Sequence, residues 1–280
     1  MAVLLIGIMA MAAPLKAGVG ILPLAYLAER IGGGRVEAPV LVGPGQNYHV
    51  YEPTPKQLAD LAGASVYFEM GFPFEKRVVA KMASANPNLR AINVIEGIVL
   101  RSMDEEPCEK HHTHDHGNLD PHVWLNPLNA QIIARNMARV FKESDPPHEA
   151  FYSANLELLE KDLDTLHARV SAILKPFKGR TFYVYHPAFG YFADVYGLKQ
   201  RPVEIEGKEP TARRLAELIE RAKQENVQAI LVQQQFPHKF AEAVAREIGG
   251  RVISVDPLAR DYIAGIESIA QCLCEAWAQP

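Results

Sequence analysis

The sequence predicts an α/β protein of two lobes, each a mostly parallel sheet flanked by helices, joined by one long rigid helix. Three observations predict it. From Leu15 to Ile95, short apolar stretches alternate with helical ones, a pattern that implies a parallel sheet covered on both faces. The same alternation resumes at Thr181 and runs to the C-terminal region, without a residue-level repeat of the first series. Between the two, Tyr152, Leu156, Leu159, Leu163, Leu166, Val170 and Ile173 recur at spacings of three and four, marking one amphipathic helix that stops at Pro176 and Gly179. At 1.5 Å per residue, a helix of roughly 28 residues reaches about 42 Å, longer than an ordinary domain is wide, so it reads as a connector. The expected division is residues 1–13 as the remnant of an export signal, 14–143 as the first lobe, 144–178 as the linking helix and 179–280 as the second lobe.

The chain opens with the apolar run Ala2 to Met9, followed by small residues at Ala10, Ala12 and Ala13 before Pro14. This has the form of the apolar core and cleavage region of an export signal, although no basic residue precedes it; a buried first strand is the alternative. The run is shorter than the roughly 20 apolar residues needed to cross a bilayer. Leu15 to Ile21 then reads as a strand and Pro23 to Ile31 as a helix closed by glycines at 32 to 34. Val36 to Val42 is a second strand. A loop containing His49 follows, and Thr54 is placed to cap a helix begun by Pro55. Ser65 to Glu69 is a strand, Phe74 to Ala83 a helix and Ala91 to Ile95 a fourth strand.

A helix over Leu128 to Lys142 leads through Ser144-Asp145-Pro146-Pro147 into the long helix. The second series has strands over Thr181 to Tyr185, Pro202 to Glu206, Gln228 to Gln233 and Arg251 to Val255. Its helices cover Arg213 to Glu225, Phe240 to Ile248 and Ile263 to Trp277. Ligands of open parallel sheets gather at the carboxyl ends of the strands, where His186 and Asp256 directly follow theirs.

Composition narrows the function. A formal net charge of −4, with no clustered Lys/Arg face interleaved with aromatics, argues against nucleic acid as a partner. The cysteines, Cys108, Cys272 and Cys274, are odd in number, so they cannot all pair within the chain.

The most informative stretch is Asp120-Pro121-His122-Val123-Trp124-Leu125-Asn126-Pro127. Its prolines hold the preceding residues extended, so His122 sits in a stiff segment that presents its imidazole. Just before it lies the run His111-His112-Thr113-His114-Asp115-His116, which has no apolar side chain and reads as a solvated loop, either plain or an auxiliary metal site. Three further candidates share the stiffened setting of His122: His49 ahead of Glu52-Pro53, His186 before Pro187 and Asp256 before Pro257. Three imidazoles and a carboxylate form a donor set that suits zinc.

These positions resemble the metal-specific solute-binding components of ABC importers, in particular the zinc branch. The resemblance rests, in order, on Tyr48-His49-Val50-Tyr51-Glu52-Pro53-Thr54-Pro55, on Asp120 to Pro127, on Tyr185-His186-Pro187-Ala188-Phe189-Gly190-Tyr191-Phe192 and on Val255-Asp256-Pro257-Leu258. It implies one Zn2+ held between two lobes by His49, His122, His186 and Asp256. Histidine rather than glutamate at 186 points to zinc over manganese, and imidazole softness agrees. The chain departs from the family in reading Gln46-Asn47-Tyr48 ahead of His49, where a small or acidic residue and proline are more usual.

The function expected is capture of Zn2+ in the periplasm by an exported monomer and delivery to an inner-membrane ABC permease with its ATPase. Affinity is expected to fall as pH drops through the histidine range, because ligation needs neutral imidazoles. A filled coordination shell leaves no open position for an activated water, so no catalysis is expected. The alternatives are manganese or iron binding on the same fold, and a zinc hydrolase, which the absence of a His-Glu-x-x-His helix disfavours.

Overall fold

The computed structural model describes residues 13–103, 119–204, 211–236 and 238–278. Residues 1–12 of the expected export signal, Cys108 and the four histidines at 111, 112, 114 and 116 lie outside them. Two parallel four-stranded sheets carry the fold. The first has the order β2-β1-β3-β4, with β1 at Leu15–Val19, β2 at Val36–Glu37, β3 at Val66–Glu69 and β4 at Arg90–Asn93. The second has the order β6-β5-β7-β8, with β5 at Thr181–Val184, β6 at Lys199–Pro202, β7 at Ala229–Gln233 and β8 at Arg251–Val255. In each, the first strand of the half lies between its second and its third. The halves therefore share a topology that their residues do not repeat.

The helices are α1 (Leu22–Gly32), α2 (Pro55–Leu61), α3 (Pro73–Ala85), α4 (Pro127–Ser144), α5 (Glu149–Leu174), α6 (Gly190–Tyr196), α7 (Ala212–Gln224), α8 (Lys239–Ile248) and α9 (Tyr262–Ala278). Thr54 caps α2 as expected, within a capping box completed by Gln57. Two strands differ from expectation. Val36 to Val42 is not one regular strand, because Pro39 has no N–H for the ladder; β2 stops at Glu37 and contact with β1 resumes as a bridge between Val19 and Val40. The strand expected over Pro202 to Glu206 begins earlier, at Lys199. It is a sheet edge, where polar residues such as Lys199, Gln200 and Arg201 leave no apolar signal. Pairing with β5 continues past it, since the Val203 and Glu204 N–H groups donate to the carbonyls of Val184 and Tyr185. The short α6 was not distinguished in the sequence.

Helix α5 is the expected long helix, 26 residues and so about 39 Å in length. Tyr152, Leu159, Leu163, Leu166, Val170 and Leu174 form its buried stripe. It packs on α4 and α1 of the first half and on α9 and α6 of the second. One apolar cluster accordingly runs from the first sheet through α5 to Phe182, Phe189, Phe192, Leu258 and Tyr262 beyond it, while a second gathers around Tyr183, Tyr185, Val232 and Val244. Because the larger core crosses from one half to the other, α5 acts as a strut rather than a tether.

Candidate metal centre

His122 stands just ahead of the turn of 3-10 helix Val123–Leu125, which leads into α4 through Asn126, whose side chain caps the helix by accepting from the Leu128 N–H. The imidazole is wholly buried. Asp120 fixes it: one carboxylate oxygen accepts both the His122 backbone N–H at 2.9 Å and Nδ1 at 2.6 Å. A carboxylate can only accept here, so Nδ1 carries the proton and Nε2 presents its lone pair.

His186 leaves the end of β5 and is set in the same way. Its Nδ1 lies 2.5 Å from Glu204, another buried carboxylate. Gln233 holds its backbone from both sides, accepting from the N–H at 3.2 Å and donating to the carbonyl at 2.6 Å, and Phe236 stacks on the ring with centroids 4.7 Å apart. His49 lies in the turn Tyr48–Val50, where Asn47 accepts its backbone N–H at 2.9 Å. One side of this residue remains exposed.

The three imidazoles meet. Nε2 of His49 is 2.9 Å from Nε2 of His186, which is 3.3 Å from Nε2 of His122. Among the described residues these three histidines form the one group of possible ligand atoms within 4.8 Å of one another. Burial and the neighbouring imidazoles push His49 down to about 2. His122 is also lowered, because burial outweighs the pull of Asp120. Burial would raise Asp120, but the bonds from His122 and Arg101 outweigh it and hold the carboxylate in its charged form. Three convergent imidazole nitrogens, two of them oriented by buried carboxylates, are what a zinc ion requires and what a carboxylate-preferring ion such as Mn2+ does not.

Asp256 does not join that group. Its Oδ1 accepts the Gln235 side chain at 2.8 Å and the Leu258 N–H at 2.9 Å, which closes the turn at Pro257. The sequence also left several supporting residues without a role. Asp120 stood inside the motif that presents His122. Glu204 lies 18 positions from His186 on the neighbouring chain segment, a pairing made by the sheet and carried by no spacing. Gln233 and Phe236 belong to a glutamine-rich run after β7 whose place at the site follows only from the strand order.

The chain matches the family model described as zinc-uptake complex component A, periplasmic, over residues 19–276. It is 33% identical over 238 residues to the high-affinity zinc uptake system protein ZnuA of Bacillus subtilis (strain 168), covering 82% of this chain and 74% of that protein. A putative metal-binding protein of Treponema pallidum (strain Nichols) is 28% identical over 239 residues, with 83% and 76% covered. Among solved structures, a crystal structure of ZnuA is similar with a TM-score of 0.87 and 36% identity, covering 94% of this chain and 99% of that one. A ZnuA deletion mutant with zinc bound is similar with a TM-score of 0.87 and 37% identity, covering 95% and 100%.

Proposed function

The chain belongs to the periplasmic zinc-uptake component A family, and from that premise we infer how it works: it captures Zn2+ with high affinity and delivers it to an ABC permease for import. The observation that carries this reading is the convergence of the His49, His122 and His186 Nε2 atoms. We assign those nitrogens as ligands to the ion. Asp256 is the proposed fourth ligand. Its Oδ1 keeps the bonds from Gln235 and Leu258, and among the described residues no donor engages Oδ2, which leaves that oxygen as the one to ligate. A carboxylate steadied through one oxygen while the other ligates follows the usual outer-shell pattern.

The proteins of this family are metal-binding transport components. A shell of three imidazoles and one carboxylate would fill the tetrahedral positions and leave none for an activated water, which supports carriage without catalysis. Among the described residues no helix is long and apolar enough to cross a membrane. Export, a monomeric state and the lobe boundaries at 143, 144 and 178 are part of the same proposal, as is an auxiliary role for His111, His112, His114 and His116. Calorimetric titration of metal-free wild-type and His122→Ala protein tests the ligand set. Wild type should take up one zinc tightly and the variant should lose most of that affinity; an unchanged variant would remove His122 from the site.

A further inference from the structure

We propose that Tyr48 is an internal competitor for the metal: its hydroxyl donates to the nitrogen lone pair of His122 that zinc must take. The hydroxyl oxygen lies 2.6 Å from His122 Nε2. Asp120 at 2.6 Å keeps the imidazole proton on Nδ1, so Nε2 is an acceptor and the Tyr48 hydroxyl is the donor. Tyr48 is 1% exposed, its ring wedged among His49, Phe72 and Trp124. No other hydrogen-bond partner reaches its hydroxyl among the described residues. This inference rests on the ligand set proposed above, in which the fourth position goes to Asp256 rather than to the phenol.

Two consequences follow from elementary chemistry. A lone pair engaged by O–H cannot also bind a cation, so zinc entry breaks this bond and leaves a buried hydroxyl without its acceptor. The hydroxyl therefore stabilises the metal-free protein alone, which weakens zinc binding and helps the ion to leave as the bond re-forms. That suits a carrier, which must release what it captures. Because the bond is lost to any ion that takes His122, the device tunes affinity and release without choosing between metals.

The test uses the full chain, free of metal. Zinc affinity is measured by competition with a chelating dye, and release by stopped flow, for wild type, Tyr48→Phe and His122→Ala. Phenylalanine keeps the ring and its packing. The proposal predicts that Tyr48→Phe binds zinc about fivefold more tightly, the factor implied by losing one neutral hydrogen bond in the empty state, and releases it more slowly. Its melting temperature should fall without zinc and not with it, a split that a merely structural hydroxyl would not produce. If Tyr48→Phe binds with equal or lower affinity while His122→Ala loses binding, the competitor role is overturned and the ligand set stands. If His122→Ala keeps its affinity, the ligand set itself fails. Should Tyr48→Phe not fold, the wild-type protein decides: the proton resonance of the Tyr48 hydroxyl should correlate with His122 Nε2 until one equivalent of zinc is added, and persistence of that correlation overturns the proposal.

Discussion

The indole Nε1 of Trp124 donates to the carbonyl oxygen of Pro257 at 2.8 Å, and the Tyr262 hydroxyl donates to the Trp124 carbonyl oxygen at 2.6 Å. These bonds join the residue two beyond His122 to the residue just after Asp256, so the two halves of the molecule are latched directly behind the site. Trp124 is fully buried. Trp124→Phe should leave the Pro257 carbonyl without its donor and lower unfolding stability by about 1–3 kcal/mol. Urea unfolding of the metal-free protein measures it, and an unchanged midpoint would show the latch to be without weight.

Glu204 sets the His186 ring, and removing such an outer carboxylate from a metal-ligating histidine typically lowers metal affinity about 10–100-fold. Glu204→Gln should show a loss of that order in a zinc competition titration with the fold intact by circular dichroism. Retention of wild-type affinity would mean that Glu204 does not orient the ligand.

The pH dependence takes its sign from His49 and His122, both lowered in the folded protein. Unfolded histidine takes a proton near pH 6.5, whereas both are lowered in the fold, His49 to about 2. In this window the unfolded state binds more protons, so their contribution to metal-free stability is full above the ordinary histidine range and is lost as pH falls beneath it. Glu75 acts in the opposite sense: burial raises it to about 7 against three backbone N–H bonds, so its folded form prefers the proton between the unfolded carboxylate value and neutrality. The clean measurement is the difference between wild type and His49→Gln, the variant losing less stability between pH 7.5 and 5.5. Because His49 and His122 stay neutral in the fold, their part in zinc affinity should stay nearly flat over pH 7.5 to 6, in place of the fall that ordinary histidines would give. A steep decline there would contradict it.

Gly190 opens α6 beneath the Arg101 guanidinium, which ion-pairs with Asp120 and Asp194 at 3.0 Å each. A Cβ at 190 would lie 1.5 Å from an Arg101 nitrogen and 2.7 Å from an Asp120 oxygen. Gly190→Ala should therefore displace the guanidinium, loosen the carboxylate that sets His122 and weaken zinc binding. Gly34→Ala, with no atom within 4 Å of the added carbon, should not. Parallel titrations of the two proteins decide it, and equal affinities would remove Arg101 from the support of the site.

The sequence made the repeating strand and helix units, the long helix and the three histidines legible, because each writes its signature locally: a periodic apolar stripe, a proline-stiffened turn, a residue directly after a strand. Other features depend on partners distant in the chain. The start of β6 was missed because an edge strand carries polar residues, and Glu204 because its bond to His186 is made only when two strands lie side by side. The engagement of Asp256 by Gln235 was hidden for the same reason, since Gln235 and Asp256 follow adjacent strands, β7 and β8. The matching order of the two sheets had no residue-level trace at all.

Helix α5 shares one apolar core with both halves, which opposes wide hinge motion. The radius of gyration from solution scattering should thus change little between metal-free and zinc-loaded protein. A large contraction would show that the strut yields.

Zinc K-edge X-ray absorption of the singly loaded protein tests the ligand set most directly. The account predicts four light-atom neighbours at about 2.0–2.1 Å with the outer-shell scattering of three imidazoles, reduced to two in His186→Ala. A spectrum with one imidazole or none, or with the same three after His186 is removed, would contradict it.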